Sequence, residues 1–502
     1  MSQHQQCVLV IDQGTSSSRA MLFSLEGDPI AKSQNEFPTY YPQLGWVEQA
    51  PNEIWNSVEQ ACLKVLQFAD EHDLHIETIG ITNQRETTIV WDKKTGVPIY
   101  SAIVWQDRRT NQYCETLKEQ GHEKLIRAKT GLLIDPYFSA TKIKWILDTI
   151  DGARQKAMRG ELAFGTVDTY LMYLMSNGKS HVTDCTNASR TLLCNIHTGA
   201  WDKELLELFT IPESMLPTIQ LCDSHFLETK SFGLSYSVSV TGCAGDQQAA
   251  AFGQMCFNQG EIKSTYGTGC FIVMNVGLAV PAPIDGLLTT IGYGLKSNNN
   301  TLSYALEGSI FNAGTSVQWL RDQLQIISSA DEIEALVSPL ADNGGVYFVP
   351  AFTGLGAPYW EANAKASLVG ITRSTNKAHI ARAALESVAY QTQDILTLFK
   401  KTKILPKQLN VDGGMTVNNW LVQFLADITD MPVVISRIPE TTALGALYLA
   451  MLGKGFLNQL GDLQKIKNKG TIHNPNMDHD TRVKALQNWS GAISSVLTYC
   501  RR

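Results

Sequence analysis

One local pattern occurs twice in this chain, and it limits the possible folds more than any other feature. Cys7–Ile11 is an apolar run of strand character, Asp12-Gln13-Gly14-Thr15-Ser16-Ser17-Ser18 is a polar turn, and Arg19–Phe23 is a second strand. Glu261–Thr265 and Cys270–Met274 flank a turn of similar composition, Tyr266-Gly267-Thr268-Gly269, so that Ser264 stands 252 residues after Asp12. Each unit reads as a hairpin closed by glycine and hydroxyl residues. Successive backbone N–H groups in such a turn form an anion-binding concavity, and the hydroxyls add donors. Arg19 adds a charge able to pair with phosphate, while a carboxylate at a strand end, Asp12, suits Mg²⁺ held mostly through water. Two such turns, one opening each half, can grip phosphates from both sides of a cleft.

The rest of the chain alternates strand and helix patterns. Asn52 stands where a helix cap is expected, ahead of Ile54, Val58, Ala61, Cys62, Val65 and Ala69 on one helical face. Ile76–Thr82 and Thr87–Trp91 return to strand character. In the second half the spacing predicts a strand over Gly345–Pro350, helices over Lys377–Lys400, Asn418–Thr429 and Thr442–Leu452, and strands over Leu409–Asp412 and Pro432–Ile435. Strands interleaved with helices in both halves predict an α/β protein of two domains, 1–254 and 255–502, each a mixed sheet flanked by helices, with a cleft between them. Val411-Asp412-Gly413-Gly414-Met415-Thr416-Val417-Asn418 follows a strand and precedes a helix. Its glycines let a flat ligand approach the backbone, and Asn418 can bond to that ligand or cap the helix. No GxxxxGK[ST] occurs, which excludes a P-loop.

Composition excludes several functions. Apolar residues make up 44% and charged residues 18% of the 502, below the roughly 25% charged of an average soluble chain, which excludes intrinsic disorder. A formal charge of −7 and the absence of a basic run argue against a nucleic-acid partner. The longest apolar stretches, such as Leu444–Leu452, are too short for a membrane span. The polar start and the ten scattered cysteines, none in a CxxC, fit reduced thiols in a cytoplasmic protein rather than disulfides or zinc. His72 and His75 read as a solvated helix end. The tail after Lys454 has a helical pattern from Thr481 to Leu497 and no chemistry of its own.

These stretches, together with Gln84-Arg85-Glu86-Thr87-Thr88, Val104-Trp105-Gln106-Asp107-Arg108-Arg109, Ala244-Gly245-Asp246-Gln247-Gln248 and Phe352-Thr353-Gly354-Leu355-Gly356-Ala357-Pro358-Tyr359-Trp360, resemble the FGGY carbohydrate kinases. That family falls within the actin/hexokinase-like ATPase superfamily, and the likeness is greatest to its glycerol-phosphorylating members. It runs from residue 8 to about 452. The one departure noted is Ser16, where those members usually carry Thr; the hydroxyl survives. The resemblance implies two ribonuclease-H-like domains closing over ATP, Mg²⁺ and a small polyol, in a homodimer or homotetramer. It implies Arg85, Glu86, Tyr137, Asp246 and Gln247 on glycerol, with Trp105 and Phe271 as an apolar wall. It puts Thr15, Ser16, Ser17, Arg19, Thr268, Gly314, Gln318, Gly414 and Asn418 on the nucleotide, Asp12 and Asp246 on the metal, and Asp246 in the role of general base.

The residues themselves fit that chemistry. Phosphoryl transfer needs positioning, charge neutralisation and an acceptor for the alcohol proton. Asp246 follows an apolar strand and opens a helix, a corner that presents a carboxylate into a cleft; capping that helix is the plainer reading. Arg85 and Glu86 read alone as a solvated pair, yet opposite charges also suit vicinal hydroxyls, which both donate and accept. The expected activity is ATP-dependent phosphorylation of glycerol, with a kinase of a larger sugar or polyol as the alternative.

Overall fold

A computed structural model describes residues 5–361, 363–463, 466 and 470–500. The opening hairpin forms from β1 (Gln5–Gln13) and β2 (Ser17–Ser24), and β3 (Pro29–Glu36) pairs on the far side of β2. The turn is shorter than the polar run suggested. Asp12 and Gln13 stay in the ladder opposite Arg19 and Ser18, and only residues 14–16 leave it. The helix α1 (Pro51–Glu71) starts two residues earlier than an Asn52 cap would set it. Ala50 is the N-cap and Pro51 the first helical residue, where its missing N–H costs nothing.

The chain then adds β4 (Leu74–Asn83), parallel to β1, and later β5 (Leu227–Thr229) and β6 (Val238–Gly245). The sheet order is β5-β6-β4-β1-β2-β3, with β6 parallel to β4 and β5 antiparallel at the edge. The helix α2 (Asp246–Gly253) leads out of β6.

The second half repeats this plan. The hairpin of β7 (Ile262–Tyr266) and β8 (Cys270–Gly277) is extended on one side by β9 (Leu288–Leu295) and β10 (Thr301–Ile310). The helices α3 (Gly314–Asp322) and α4 (Lys377–Phe399) follow. Then come β11 (Leu409–Asp412), α5 (Asn419–Thr429), β12 (Val433–Ile435), α6 (Thr441–Lys454), β13 (Thr471–His473) and α7 (His479–Cys500). The order is β9-β10-β8-β7-β11-β12-β13, with β11 parallel to β7, β12 parallel to β11 and β13 antiparallel. In each sheet the first strand of the hairpin is central and runs parallel to the two strands added beside it, β4 and β6 in the first sheet and β11 and β12 in the second.

Alternation along β1 divides the core. Cys7, Leu9 and Ile11 pack with the Ile54–Ala69 face of α1, while Val8 and Val10 face a second core shared with α6. The helix α6 comes late in the sequence, yet it lies on the first sheet and crosses α2. The approach is backbone to backbone. A Cβ on Gly80 would stand 2.4 Å from Ala446 O, one on Gly242 2.3 Å from Ala450 N, and one on Gly445 1.8 Å from Ala249 O.

Among the described residues no helix is long and apolar enough to cross a membrane. All ten cysteines are free thiols, nine of them buried. His72 stacks on Phe68 at the end of α1, and His75 stacks on Tyr236. The tail helix α7 is longer than its sequence pattern and buries Trp489, Ala492, Ile493 and Val496.

Candidate active site

The parallel strands β1, β4 and β6 end at one level, because Thr82 of β4 lies opposite Asp12 on one side and Ala244 on the other. The segments after these strands therefore emerge together at the carboxyl edge of the sheet, where open α/β sheets bind ligands. They are Gly14–Ser16, Gln84–Glu86 and Asp246–Gln247.

In the first turn, Gly14 N–H closes onto Ser17 O, and the N–H groups of Thr15 and Ser16 donate to no described residue. Thr15 O accepts from Gln49 Nε2. Ser17 Oγ accepts from Gln34 Nε2, and Ser18 Oγ bonds Ser57 Oγ, so of the three serines Ser16 is the exposed one. Arg19 donates to Gln34 Oε1 at 3.0 Å and meets Asp12 Oδ2 at 3.4 Å.

The second turn is fastened to α3. Thr268 O accepts from Ala313 N, Thr315 N and Thr315 Oγ1, and Gly314 N donates to Gly267 O. A Cβ on Gly314 would stand 2.6 Å from that same oxygen, so the contact requires glycine. Gln318 is exposed one turn further along α3. In the third segment Gly413 has φ +94, and a Cβ there would meet Tyr266 O at 2.4 Å; a Cβ on Gly414 would meet nothing, leaving an open backbone face. Asn418 Oδ1 accepts from Leu421 N and so caps α5, which leaves its amide N–H groups for a ligand.

The expected acceptor residues converge. Arg85 Nε lies 3.3 Å from Asp246 Oδ1 and 3.8 Å from Glu86 Oε1, and Arg85 Nη2 donates to Tyr137 Oη at 3.3 Å. Around them Trp105 meets Tyr137 and Phe271 edge to face, with ring centroids 5.7 and 6.0 Å apart. Trp105 is more than an apolar wall: its Nε1–H donates to Thr15 Oγ1 at 3.0 Å and ties the acceptor side to the first turn. Arg85 and Glu86 are 2% and 1% exposed, which removes the solvated-pair reading. Glu86 adopts φ +59, a strained conformation for a residue with a Cβ. Three donors on its carbonyl hold it there: Thr88 Oγ1, Ser139 Oγ and Lys142 Nζ.

Four buried groups that sequence reasoning missed complete the site. Glu307 of β10 takes Arg85 Nη1 at 2.6 Å and Nη2 at 3.1 Å, and takes Arg190 Nη2 at 2.8 Å; Arg190 Nε in turn donates to Glu86 Oε1 at 2.6 Å. Lys142 bridges Glu86 O and Tyr137 O, and Lys263 donates to Gln247 Oε1 and Phe271 O. Some signal existed: a lone Glu within the apolar strand Ala305–Ile310, and a Lys in β7, are charges that burial permits only with partners.

The electrostatics follow from this packing. Burial raises the Asp246 carboxyl, and Arg85 and Lys263 pull it back down. Burial likewise raises Glu86 against Arg85 and Arg190. Burial would also raise Glu307, but Arg190 and Arg85 overcome it and hold the carboxyl down at about 2. Lys142 is pushed down to about 7 by burial. Asp12 Oδ1, Asp246 Oδ2 and Glu86 Oε2 accept from no described residue. Asp12 at the end of β1 and Asp246 just after β6 stand on strands separated only by β4, roughly 10 Å apart at the backbone. Hard oxygen donors with free lone pairs at that spacing fit Mg²⁺ bound largely through water.

Two family models match. The FGGY family of carbohydrate kinases, N-terminal domain, covers residues 7–253, and its C-terminal domain covers residues 262–453. The chain is 51% identical over 487 residues to the glycerol kinase of Parabacteroides distasonis, covering 97% of each chain. It is 50% identical to that of Rhodospirillum centenum, again over 97% of each. Among solved structures, the glycerol kinase of Plasmodium falciparum with ADP superposes with a TM-score of 0.92 at 36% identity over 98% of both chains. A xylulose kinase from Lactobacillus acidophilus, 21% identical, shares the fold with a TM-score of 0.88.

Proposed function

The chain belongs to the FGGY family of carbohydrate kinases, and from that premise we propose that it transfers the γ-phosphoryl group of ATP to a primary hydroxyl of glycerol. The products are glycerol 3-phosphate and ADP. The observation that carries this reading is the convergence of buried Arg85 and Glu86 with partly exposed Tyr137 and Asp246 under an aromatic cover, a set of donors and acceptors that suits a small polyol. Arg85 donates to hydroxyl oxygens, while the free oxygens of Glu86 and Asp246 accept hydroxyl protons. Asp246 holds the acceptor alcohol through its free Oδ2 and takes the proton as the oxygen attacks phosphorus; a carboxyl raised by burial is the stronger base for that task. Gln247, steadied by Lys263, supplies amide donors to the next hydroxyl. Trp105 and Phe271 cover the carbon chain and limit its length.

The phosphates of ATP lie between the two turns, where Thr15, Ser16, Thr268 and Gly269 offer backbone N–H groups and Arg19 a guanidinium. The flat base lies on the open face at Gly414, beside Gln318 and Asn418. Asp12 and Asp246 would hold Mg²⁺ largely through water, and the ion would supply charge neutralisation for the transferring phosphates. An ADP-release assay over a panel of polyols and ketopentoses tests the reading. ADP release should depend on glycerol and be weak without it. Equal release without any acceptor, or preference for a five-carbon sugar, refutes it.

A further inference from the structure

Arg85, Glu86, Arg190 and Glu307 close into a ring of alternating charge. Going round it, Glu307 Oε2 meets Arg85 Nη1 at 2.6 Å, Arg85 Nε meets Glu86 Oε1 at 3.8 Å, Glu86 Oε1 meets Arg190 Nε at 2.6 Å, and Arg190 Nη2 meets Glu307 Oε1 at 2.8 Å. No member is more than 2% exposed. Three come from the first half of the chain and Glu307 from the second. Glu307 sits on β10 three residues before Ile310, whose carbonyl would lie 2.8 Å from a Cβ on Gly269 of the second turn. Stability alone is a poor reason for such a ring. Buried ion networks are often no better than neutral packing, and Arg190 Nη1 is left buried without a partner. What the ring does fix is direction. Bidentate bonding by Glu307 sets the plane of the Arg85 guanidinium, and the Arg190 fork holds Glu86 Oε1 so that Oε2 is turned free.

We propose that Glu307 and Arg190 are positioning residues that set acceptor specificity, aiming Arg85 and Glu86 at the acceptor hydroxyls and anchoring that aim in the opposite half of the molecule. The inference rests on the polyol-kinase reading above. A misplacement near 1 Å in a site of this kind costs about 10²-fold in rate. The test compares kcat/KM for glycerol with that for propane-1,2-diol, which lacks one hydroxyl, in wild type, Glu307→Gln, Arg190→Lys, and the charge-balanced double variant Glu307→Gln with Arg190→Gln.

Each variant should lose about 10²-fold in kcat/KM for glycerol and at least about tenfold in the ratio over the diol, with KM for ATP within about threefold of wild type. Arg190→Lys should be impaired although it keeps the charge, because an ammonium cannot span two carboxylates. The double variant should keep a single thermal transition close to that of wild type. A folded double variant with the wild-type ratio overturns the proposal, and so does a double variant with no thermal transition, which would make the ring structural. If wild type phosphorylates no polyol, the kinase reading itself fails; if wild type discriminates and the variants discriminate equally, only this inference fails.

Discussion

Gly445 of α6 tests how tightly α2, which opens with Asp246, depends on a late element of the sequence. A Cβ at this position would lie 1.8 Å from Ala249 O, 2.5 Å from Ala249 C and 2.9 Å from Ala249 Cα, all backbone atoms of α2 that no rotamer change can move aside. Ordinary contact begins near 3.4 Å, so Gly445→Ala must part the two helices by about 1.6 Å along that line. Ala in a helix is intrinsically better than Gly by about 1 kcal/mol. Overpacking costs about 1–3 kcal/mol and sometimes more, and the separated faces also lose dispersion contacts. With both helix faces made of small residues there is no flexible side chain to absorb the strain, so a net loss of about 2–4 kcal/mol is expected. Function should suffer as well. Ala249 is three residues beyond Asp246, so moving α2 moves the carboxylate, and a shift approaching 1 Å costs about 10²-fold. Scanning fluorimetry should show Tm lowered by about 5 °C or more, and a coupled assay should show kcat down about 10–100-fold. The control is Gly491→Ala in α7, where a new Cβ would meet nothing within 4 Å; Tm should hold or rise and kcat should not change. A Gly445→Ala enzyme with wild-type Tm and kcat would refute the close-packing argument.

Further outcomes are expected elsewhere. Asp246→Asn keeps size and hydrogen bonding but cannot take a proton, so kcat should fall by about 10²–10⁴ with a smaller change in glycerol KM; near-normal kcat removes Asp246 from the base role. Trp105→Phe keeps the ring and deletes the Nε1–H bond to Thr15, so KM for ATP should rise about threefold to tenfold with acceptor preference unchanged, whereas Trp105→Ala should also favour longer polyols. If neither variant alters the use of ATP, the link to the first turn has no functional weight. Burial holds the His181 imidazole down at about 4, with its Nε2 bonded to Phe164 O. As pH falls below the ordinary value near 6.5 the unfolded chain takes up a proton before the folded one does. Folded stability contributed by the neutral ring is thus lost between pH 6.5 and 4, by up to about 3 kcal/mol relative to His181→Gln. A pH-independent difference in unfolding free energy between the two proteins would contradict this.

How much of this molecule could be read from its residues differs from element to element. The two opening hairpins, α4 and β11 appear within three residues of where apolar periodicity and glycine place them, because strand and helix spacing are local properties. The turn at Asp12–Ser18 is shorter than its polar composition predicts, since polar residues look like loop even when pairing with Arg19 and Ser18 keeps Asp12 and Gln13 in the ladder. Asn52 lies inside α1 and does not cap it, because Pro51 is favoured as the first helical residue. Arg85 and Glu86 could not be distinguished from a surface pair, since their burial depends on partners 222 and 104 residues away.

By itself, then, the sequence determined two α/β halves, each opened by a glycine and hydroxyl turn, and the residue types for phosphate and polyol chemistry. Hydrogen-bond periodicity and the backbone freedom of glycine act over a few residues and are written in order along the chain. Only the tertiary structure decided that α6 lies on the first sheet, that Trp105 reaches Thr15, and that Glu307 and Arg190 meet Arg85 and Glu86. These depend on which groups are removed from water together. A buried charge is tolerable only where the fold delivers its counter-charge within hydrogen-bond reach, and no local pattern reports that distance.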